Sequence, residues 1–244
     1  MALVRNPGRV AGLWYLLLIF LGPLRLIYIP SKLFVTGSAA ATVDNIGAHQ
    51  QLFRLGIASD LVGAVVLVLL TLAFYRLFAE VDRNLAVMVV IFGGVMPALL
   101  YFTGVVADLG ALTVVRGAGF LSVFEKSQQD ALTMLLLKLR DLQNTAAETL
   151  WGVWLLPLGM LVYRSRFLPR FLGVWLTLGG AAYLAVSLTG VLAPQYQGQI
   201  FTISQPFTFA EIAFTLWLVI KGSATTSPLQ VSRSGERPNR ADSS

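Results

Sequence analysis

A series of long apolar runs limits the folds that this chain can adopt, because each run is able to cross a bilayer as one helix. Six runs occupy residues 10–29, 54–77, 85–114, 131–162, 171–193 and 205–221; a membrane-spanning helix needs roughly 20 residues. The runs are continuously apolar, whereas strands of a membrane β-barrel alternate polar and apolar residues. Helices also satisfy every backbone hydrogen bond in lipid. The sequence therefore predicts an all-α integral membrane protein, a six-transmembrane-helix bundle forming one domain over residues 1–222.

Composition and the two ends of the chain fit this class. Hydrophobic residues make up 56% of the chain and charged residues 12%, whereas a soluble domain carries about a quarter charged residues. The first run continues through "LGPLRLIYIP" without a small-residue cleavage site, so it is predicted to be a retained helix rather than a signal peptide. Residues 223–244 are polar and rich in Ser and Pro, which predicts a disordered cytoplasmic tail.

The distribution of basic residues predicts that both termini are cytoplasmic. With the N-terminus inside, eleven basic residues flank the spans on the cytoplasmic side and four on the outer side. Cytoplasmic loops of membrane proteins carry an excess of Lys and Arg, so this distribution fits that orientation. The eleven are Arg5, Arg9, Arg76, Arg83, Arg164, Arg166, Arg170, Lys221, Arg233, Arg237 and Arg240; the four are Lys32, Arg54, Arg116 and Lys126. Because these residues are spread over short loops, the net charge of +6 does not predict nucleic-acid binding.

Ionisable residues inside the spans are the candidate functional groups, because burying a charge in lipid is costly. Arg25, Asp60 and Glu148 each lie sixteen residues from a cytoplasmic arginine, which places them about 24 Å above the inner boundary at 1.5 Å per residue. Glu211 lies ten residues from Lys221 and therefore deeper, about 15 Å from the same boundary. The three groups at one depth, with Glu211 below them, predict a shared polar layer.

Helical spacing extends this layer to further residues. Asn144, Glu148 and Trp151 share one helical face, as do Thr208 and Glu211. We therefore expect an outward-facing polar pocket formed by the first, second, fourth and sixth spans. Its candidate ligand-binding residues are Arg25, Asp60, Glu148, Glu211, Trp151, Thr208 and Asn144, and its candidate rim consists of Asp108, Arg140, Asp141 and Tyr101.

Three functional interpretations follow from the polar layer. In the first, one basic residue, Arg25, faces three acids, so the surplus charge binds a small polar or cationic ligand, and a transport-related role is one form of this interpretation. The apolar inner third offers no polar path across the membrane, which counts against transport. In the second, the protein is a structural or regulatory subunit in which Arg25 holds Asp60 and Glu148 to fix the helices. In the third, the carboxyl groups serve a membrane enzyme.

Several kinds of chemistry are excluded by what the chain lacks. It has no cysteine and a single histidine, His49, so the usual zinc and haem sites cannot be assembled. No phosphate-binding loop, nucleophile elbow or dinucleotide fingerprint is present. We predict no metal site and no cofactor, and an enzymatic role is the less favoured one.

Five stretches of the sequence carry a family resemblance. They are "GRVAGLWYLLL", "ATVDNIGAHQQLFRL", "LFRLGIASDL", "GVWLLPLGMLVYRSRFLPRFLG" and "EIAFTLWLVIKG". On these stretches the chain resembles a bacterial membrane-protein family known as domain of unknown function 4386. The resemblance implies a six-helix protein of the bacterial inner membrane. That family label supplies no activity, so it assigns no catalytic residue, although Asp60, Glu148 and Glu211 all lie within or beside the resembling segments.

Overall fold

The computed structural model describes residues 6–223, and within them every regular element is helical. Beyond Ser223, the predicted disordered tail lies outside the described residues. We number the helices α1 (Pro7–Leu33), α2 (Ala39–Ala48), α3 (Gln50–Phe78), α4 (Arg83–Val115), α5 (Lys126–Arg164), α6 (Arg170–Leu192) and α7 (Gln197–Lys221). All except α2 are long and apolar enough to cross a membrane. The prediction of six membrane-spanning helices is confirmed at this level.

The largest difference from the predicted boundaries lies before the last span. Residues 194–204 were expected in a loop, but a 3₁₀ turn at Pro194–Tyr196 leads directly into α7 at Gln197. Gln, Thr and Ser lower the hydropathy of this stretch without preventing a helix. A prediction based on apolar residues therefore places the start of the last span too late in the chain. The segment between α1 and α3 likewise contains a helix, α2, whose first turn is capped by the Ser38 hydroxyl accepting from the backbone N–H of Ala41 at 3.2 Å.

The two ends of the described chain meet at one end of the bundle. The Asn6 amide donates to the Ser223 backbone oxygen at 2.8 Å and accepts from its backbone N–H at 3.0 Å. At the same end, Arg164 donates to Asp82 at 2.9 Å, which joins the short turns that follow α3 and α5. We call this the terminal end and the opposite one, which carries α2, the distal end.

Helices α5 and α6 pack closely along glycines. A Cβ added to Gly159 would lie 2.7 Å from the backbone oxygen of Gly173, and one added to Gly152 would lie 2.7 Å from that of Gly180. Small residues allow helix backbones to approach one another where lipid gives no hydrophobic driving force. The two Gly pairs therefore fix α5 against α6 along two turns.

Two apolar clusters fill the bundle, one towards each end. The terminal cluster surrounds Phe74, Phe78, Leu158, Phe214 and neighbouring side chains, all fully buried, and contains no acidic or basic residue. The distal cluster packs α1, α2, α3, α4 and α5 together around fully buried residues such as Ile29, Leu33 and Ile46. Polar side chains are concentrated between these clusters.

Two helices contain a wide turn just before a proline. In α1 the turn Leu24–Tyr28 precedes Pro30, and in α4 the turn Ile91–Val95 precedes Pro97. Because proline cannot donate a backbone hydrogen bond, a π-type turn is one way for a membrane helix to accommodate it. The turn in α1 carries the buried Arg25, so it sets where that guanidinium enters the interior.

Candidate functional site: a polar cavity within the bundle

A cavity of about 530 Å³ lies between the two apolar clusters, and all six long helices contribute to its lining. The prediction named only four of these helices; α4 contributes Tyr101, and α6 contributes Tyr183 and Val186. This size falls within the range of small-molecule sites in proteins. The cavity therefore has room for a small ligand.

Four buried charged residues form an ionic cluster, and three of them, Arg25, Asp60 and Arg140, line the cavity. Arg25 Nε lies 2.9 Å from Asp60 Oδ2, and Arg140 Nη2 lies 2.8 Å from the same oxygen. Asp108 accepts from Arg25 Nη2, and its Oδ2 lies 3.4 Å from Arg140 Nε. All four residues are at most 7% exposed. The cluster joins α1, α3, α4 and α5 and has no net charge.

This cluster corrects two sequence-based expectations. Asp108 and Arg140 were expected at the rim, but both are buried within the cluster. In the structural interpretation Arg25 holds Asp60 and Glu148, yet its second acidic partner is Asp108. Counting residues from a cytoplasmic arginine gives the depth of the Cα atoms only, whereas helical side chains lean toward the N-terminus of their own helix. Since α3 and α4 run in opposite directions, Asp60 and Asp108 lean toward each other.

With the ionic cluster neutral, the surplus charge of the site belongs to two glutamates. Neither Glu148 nor Glu211 forms an ion pair with any residue in 6–223. Glu148 Oε2 is buried without a hydrogen-bond partner. Glu211 accepts a hydrogen bond from the Tyr15 hydroxyl, and the Tyr183 phenol lies close to the same carboxyl group.

Aromatic residues line the same cavity as these two carboxyl groups. Trp151 and Tyr183 meet edge to face with their centroids 6.0 Å apart, and Trp154 packs against Tyr15 at 5.9 Å. Tyr101 lines the wall formed by α4. The site thus combines uncompensated acids with aromatic rings, a combination that favours cations.

The seven candidate ligand-binding residues all line this cavity, as do Tyr101 and Arg140 from the expected rim. Their role in binding stays a prediction. Asp141 does not line the cavity: its side chain is 65% exposed and pairs with Lys138 at 2.7 Å. Asp141 projects from the surface of α5.

The sequence analysis missed many lining residues, and among them are three aromatic residues in contact with Glu211 or with the rings next to it: Tyr15, Trp154 and Tyr183. Tyr15 was detectable, because Leu18, Gly22 and Arg25 follow it at helical spacing on one face of α1. Tyr183 was harder to find, since α6 contains no acidic or basic residue after its first position and was not considered as a wall. Among the described residues, no three acidic, histidine or cysteine side chains converge to hold a metal ion.

Comparison with known proteins gives a family and one relative. Over 109 residues the chain is 30% identical to a protein of Archaeoglobus fulgidus described as "Uncharacterized protein". The match covers 42% of this chain and 63% of that protein. No solved structure matches the chain. The model of the family described as "Domain of unknown function (DUF4386)" matches residues 10–222, nearly the whole bundle, and the chain therefore belongs to that family.

Proposed function

We propose that this protein binds a small organic cation, such as an amine or quaternary ammonium compound, in the cavity. The observation that carries the proposal is the pairing of charges. Arg25, Arg140, Asp60 and Asp108 neutralise one another, whereas Glu148 and Glu211 have no cationic partner in the described chain.

The charges of Glu148 and Glu211 are not balanced by any nearby cationic side chain in the described chain. A buried carboxylate without a partner is strongly disfavoured, so it takes up a proton or a cation. Both glutamates line one cavity, and the Glu148 oxygen has no other hydrogen-bond partner. A bound cation would satisfy that oxygen and the charge together.

The aromatic lining favours an organic cation over a metal ion. Trp and Tyr faces attract ammonium groups by cation–π interaction, worth about 2 kcal/mol or more when the groups are desolvated. Calcium and magnesium prefer six or more oxygen ligands. A cavity lined by two glutamates, Trp151 and Tyr183 resembles an ammonium site more than a calcium or magnesium site.

The closed terminal cluster favours binding over transport. Between the cavity and the terminal end, the fully buried side chains Phe74, Leu158 and Phe214 belong to the terminal apolar cluster, which carries no charge among the described residues. A structural role is favoured for the ionic cluster, because its four charges are mutually paired and tie four helices together. That role does not account for Glu148 and Glu211.

We place the protein in the bacterial inner membrane with both termini cytoplasmic. The eleven-to-four distribution of basic residues supports this orientation, and the meeting of Asn6 and Ser223 at one end supports placing both termini on the same side. In this orientation Arg25, Asp60 and Glu148, each sixteen residues or about 24 Å from a cytoplasmic arginine, lie in the outer half of the bundle.

The proposal is tested with choline and its uncharged isostere 3,3-dimethyl-1-butanol. Binding to the folded state alone stabilises a protein by about 2.7 kcal/mol at a ligand concentration of 100 Kd. We expect choline to raise the melting temperature of the parent by several degrees, and the isostere to have little effect. The double variant Glu148→Gln/Glu211→Gln should lose the choline response.

Glu80→Gln is the matched control, because Glu80 is exposed in the turn after α3 and does not line the cavity. It should respond to choline as the parent does. An equal response in the double variant, or an equal response of the parent to the isostere, would contradict the proposal.

A further inference from the structure

We infer that the ligand is an amphipathic cation, and that it reaches the cavity from the bilayer through an opening between α1 and α7. This inference rests on the proposed function and specifies its ligand class. The ammonium group lies in the cavity near Glu148 and Glu211, and an apolar chain extends through the opening into the lipid.

Helices α1 and α7 are in close contact near the terminal end and separate further along. A Cβ added to Gly12 would lie 2.9 Å from the Leu218 Cβ and the Val219 backbone nitrogen. Ten residues further along α1, a Cβ added to Gly22 would meet no atom within 4 Å. Gly22 lines the cavity, so the space in front of it belongs to the opening.

Apolar side chains surround the opening on both helices. Leu26 of α1 and Phe201, Phe209 and Ile212 of α7 line the cavity. The same side chains are also 39–52% exposed at the surface of the bundle. Residues that face both the cavity and the surface show that the cavity reaches the outside here. The chemistry of this edge matches a hydrocarbon chain rather than a hydrated ion.

The depth of the opening places it in the hydrocarbon. Gly22 lies thirteen residues beyond Arg9 and Phe209 twelve residues before Lys221, or about 20 Å and 18 Å from the terminal boundary at 1.5 Å per residue. Both fall within a core about 30 Å thick. Since lipid, not water, lies outside the opening, a compound that partitions into the bilayer is favoured as the ligand.

The experiment compares tetramethylammonium with hexyltrimethylammonium, which differ in the apolar chain. Association with the protein in lipid nanodiscs is followed by the fluorescence of the cavity tryptophans, and empty nanodiscs correct for partitioning. In the parent, we expect hexyltrimethylammonium to bind at least tenfold more tightly. Gly22→Phe fills the opening and should slow its association at least tenfold. Gly198→Phe, at an open glycine outside the cavity, should change that rate less than twofold.

Two results would overturn this inference while leaving the proposed function intact. One is equal affinity of the parent for the two cations, with binding that still requires Glu148 and Glu211. The other is a Gly22→Phe protein that is folded and binds hexyltrimethylammonium at the parental rate. If Gly22→Phe is not monodisperse, Phe209→Ala takes its place. Because Phe209→Ala widens the opening, it should speed the association of hexyltrimethylammonium at least threefold. An unchanged association rate overturns the inference. Binding of both cations that persists in Glu148→Gln/Glu211→Gln instead overturns the proposed function.

Discussion

Replacing Asp60 with asparagine removes the acid that both arginines of the ionic cluster share. Asp60 Oδ2 accepts from Arg25 at 2.9 Å and from Arg140 at 2.8 Å, and all three side chains are less than 10% exposed. The variant keeps the shape of the side chain but leaves two arginines against Asp108 alone, a net charge of +1 in the interior. Breaking a buried ion pair in this way costs about 3–5 kcal/mol.

That loss corresponds to a large drop in melting temperature. For a protein of 150–250 residues, 1 kcal/mol shifts the melting temperature by about 2–4 °C, so we expect Asp60→Asn to melt about 6–20 °C below the parent. A matched double variant, Asp60→Asn/Arg140→Gln, restores neutrality and leaves the Arg25–Asp108 pair in place. It should therefore melt above the single variant. Asp141→Asn, at an exposed pair, should cost less than about 1 kcal/mol.

The assay is thermal unfolding of the purified protein in one detergent, with the fraction remaining monodisperse measured after heating. If Asp60→Asn melts within 2 °C of the parent, about the shift expected for an exposed ion pair, the ionic cluster does not stabilise the protein as described. The same conclusion follows if the stability lost by the double variant equals the sum of the losses of Asp60→Asn and Arg140→Gln, because additive losses mean that Asp60 and Arg140 do not interact.

Two further substitutions test the packing and the floor of the cavity. Gly159→Ala should lower stability by about 1–3 kcal/mol, because its Cβ would lie 2.7 Å from a backbone oxygen of α6 that cannot move aside. Gly198→Ala, which meets nothing within 4 Å, should be neutral or stabilising in the same melting assay. Tyr15→Phe removes the hydroxyl that donates to Glu211 and should cost about 1–3 kcal/mol, whereas Tyr196→Phe at an exposed position should melt as the parent does. A Tyr15→Phe protein with parental stability would mean that this hydrogen bond contributes nothing.

Much of the fold could be predicted from the sequence because hydropathy is a local property. Residues 194–204 show the limit of that approach, since Gln, Thr and Ser interrupt the apolar residues there and leave no continuous apolar run. In the site, Glu148, Trp151 and Glu211 were found because polar residues at helical spacing stand out in an apolar span. Tyr183 was not found, because its helix offered no charge to draw attention to it.

The order of residues is enough to show that six segments are long and apolar enough to cross a bilayer, and which of them carry charges that must be buried. Which of these charges meet depends on how the helices pack. Asp60 and Arg140 are 80 residues apart in the chain, and their contact depends on the direction in which each side chain leans and on the packing of α5. Pairing Arg140 and Asp108 within the cluster left Glu148 and Glu211 as the uncompensated acids. Partner choice of this kind arises from the relative placement of whole helices, and no local pattern in the sequence encodes it.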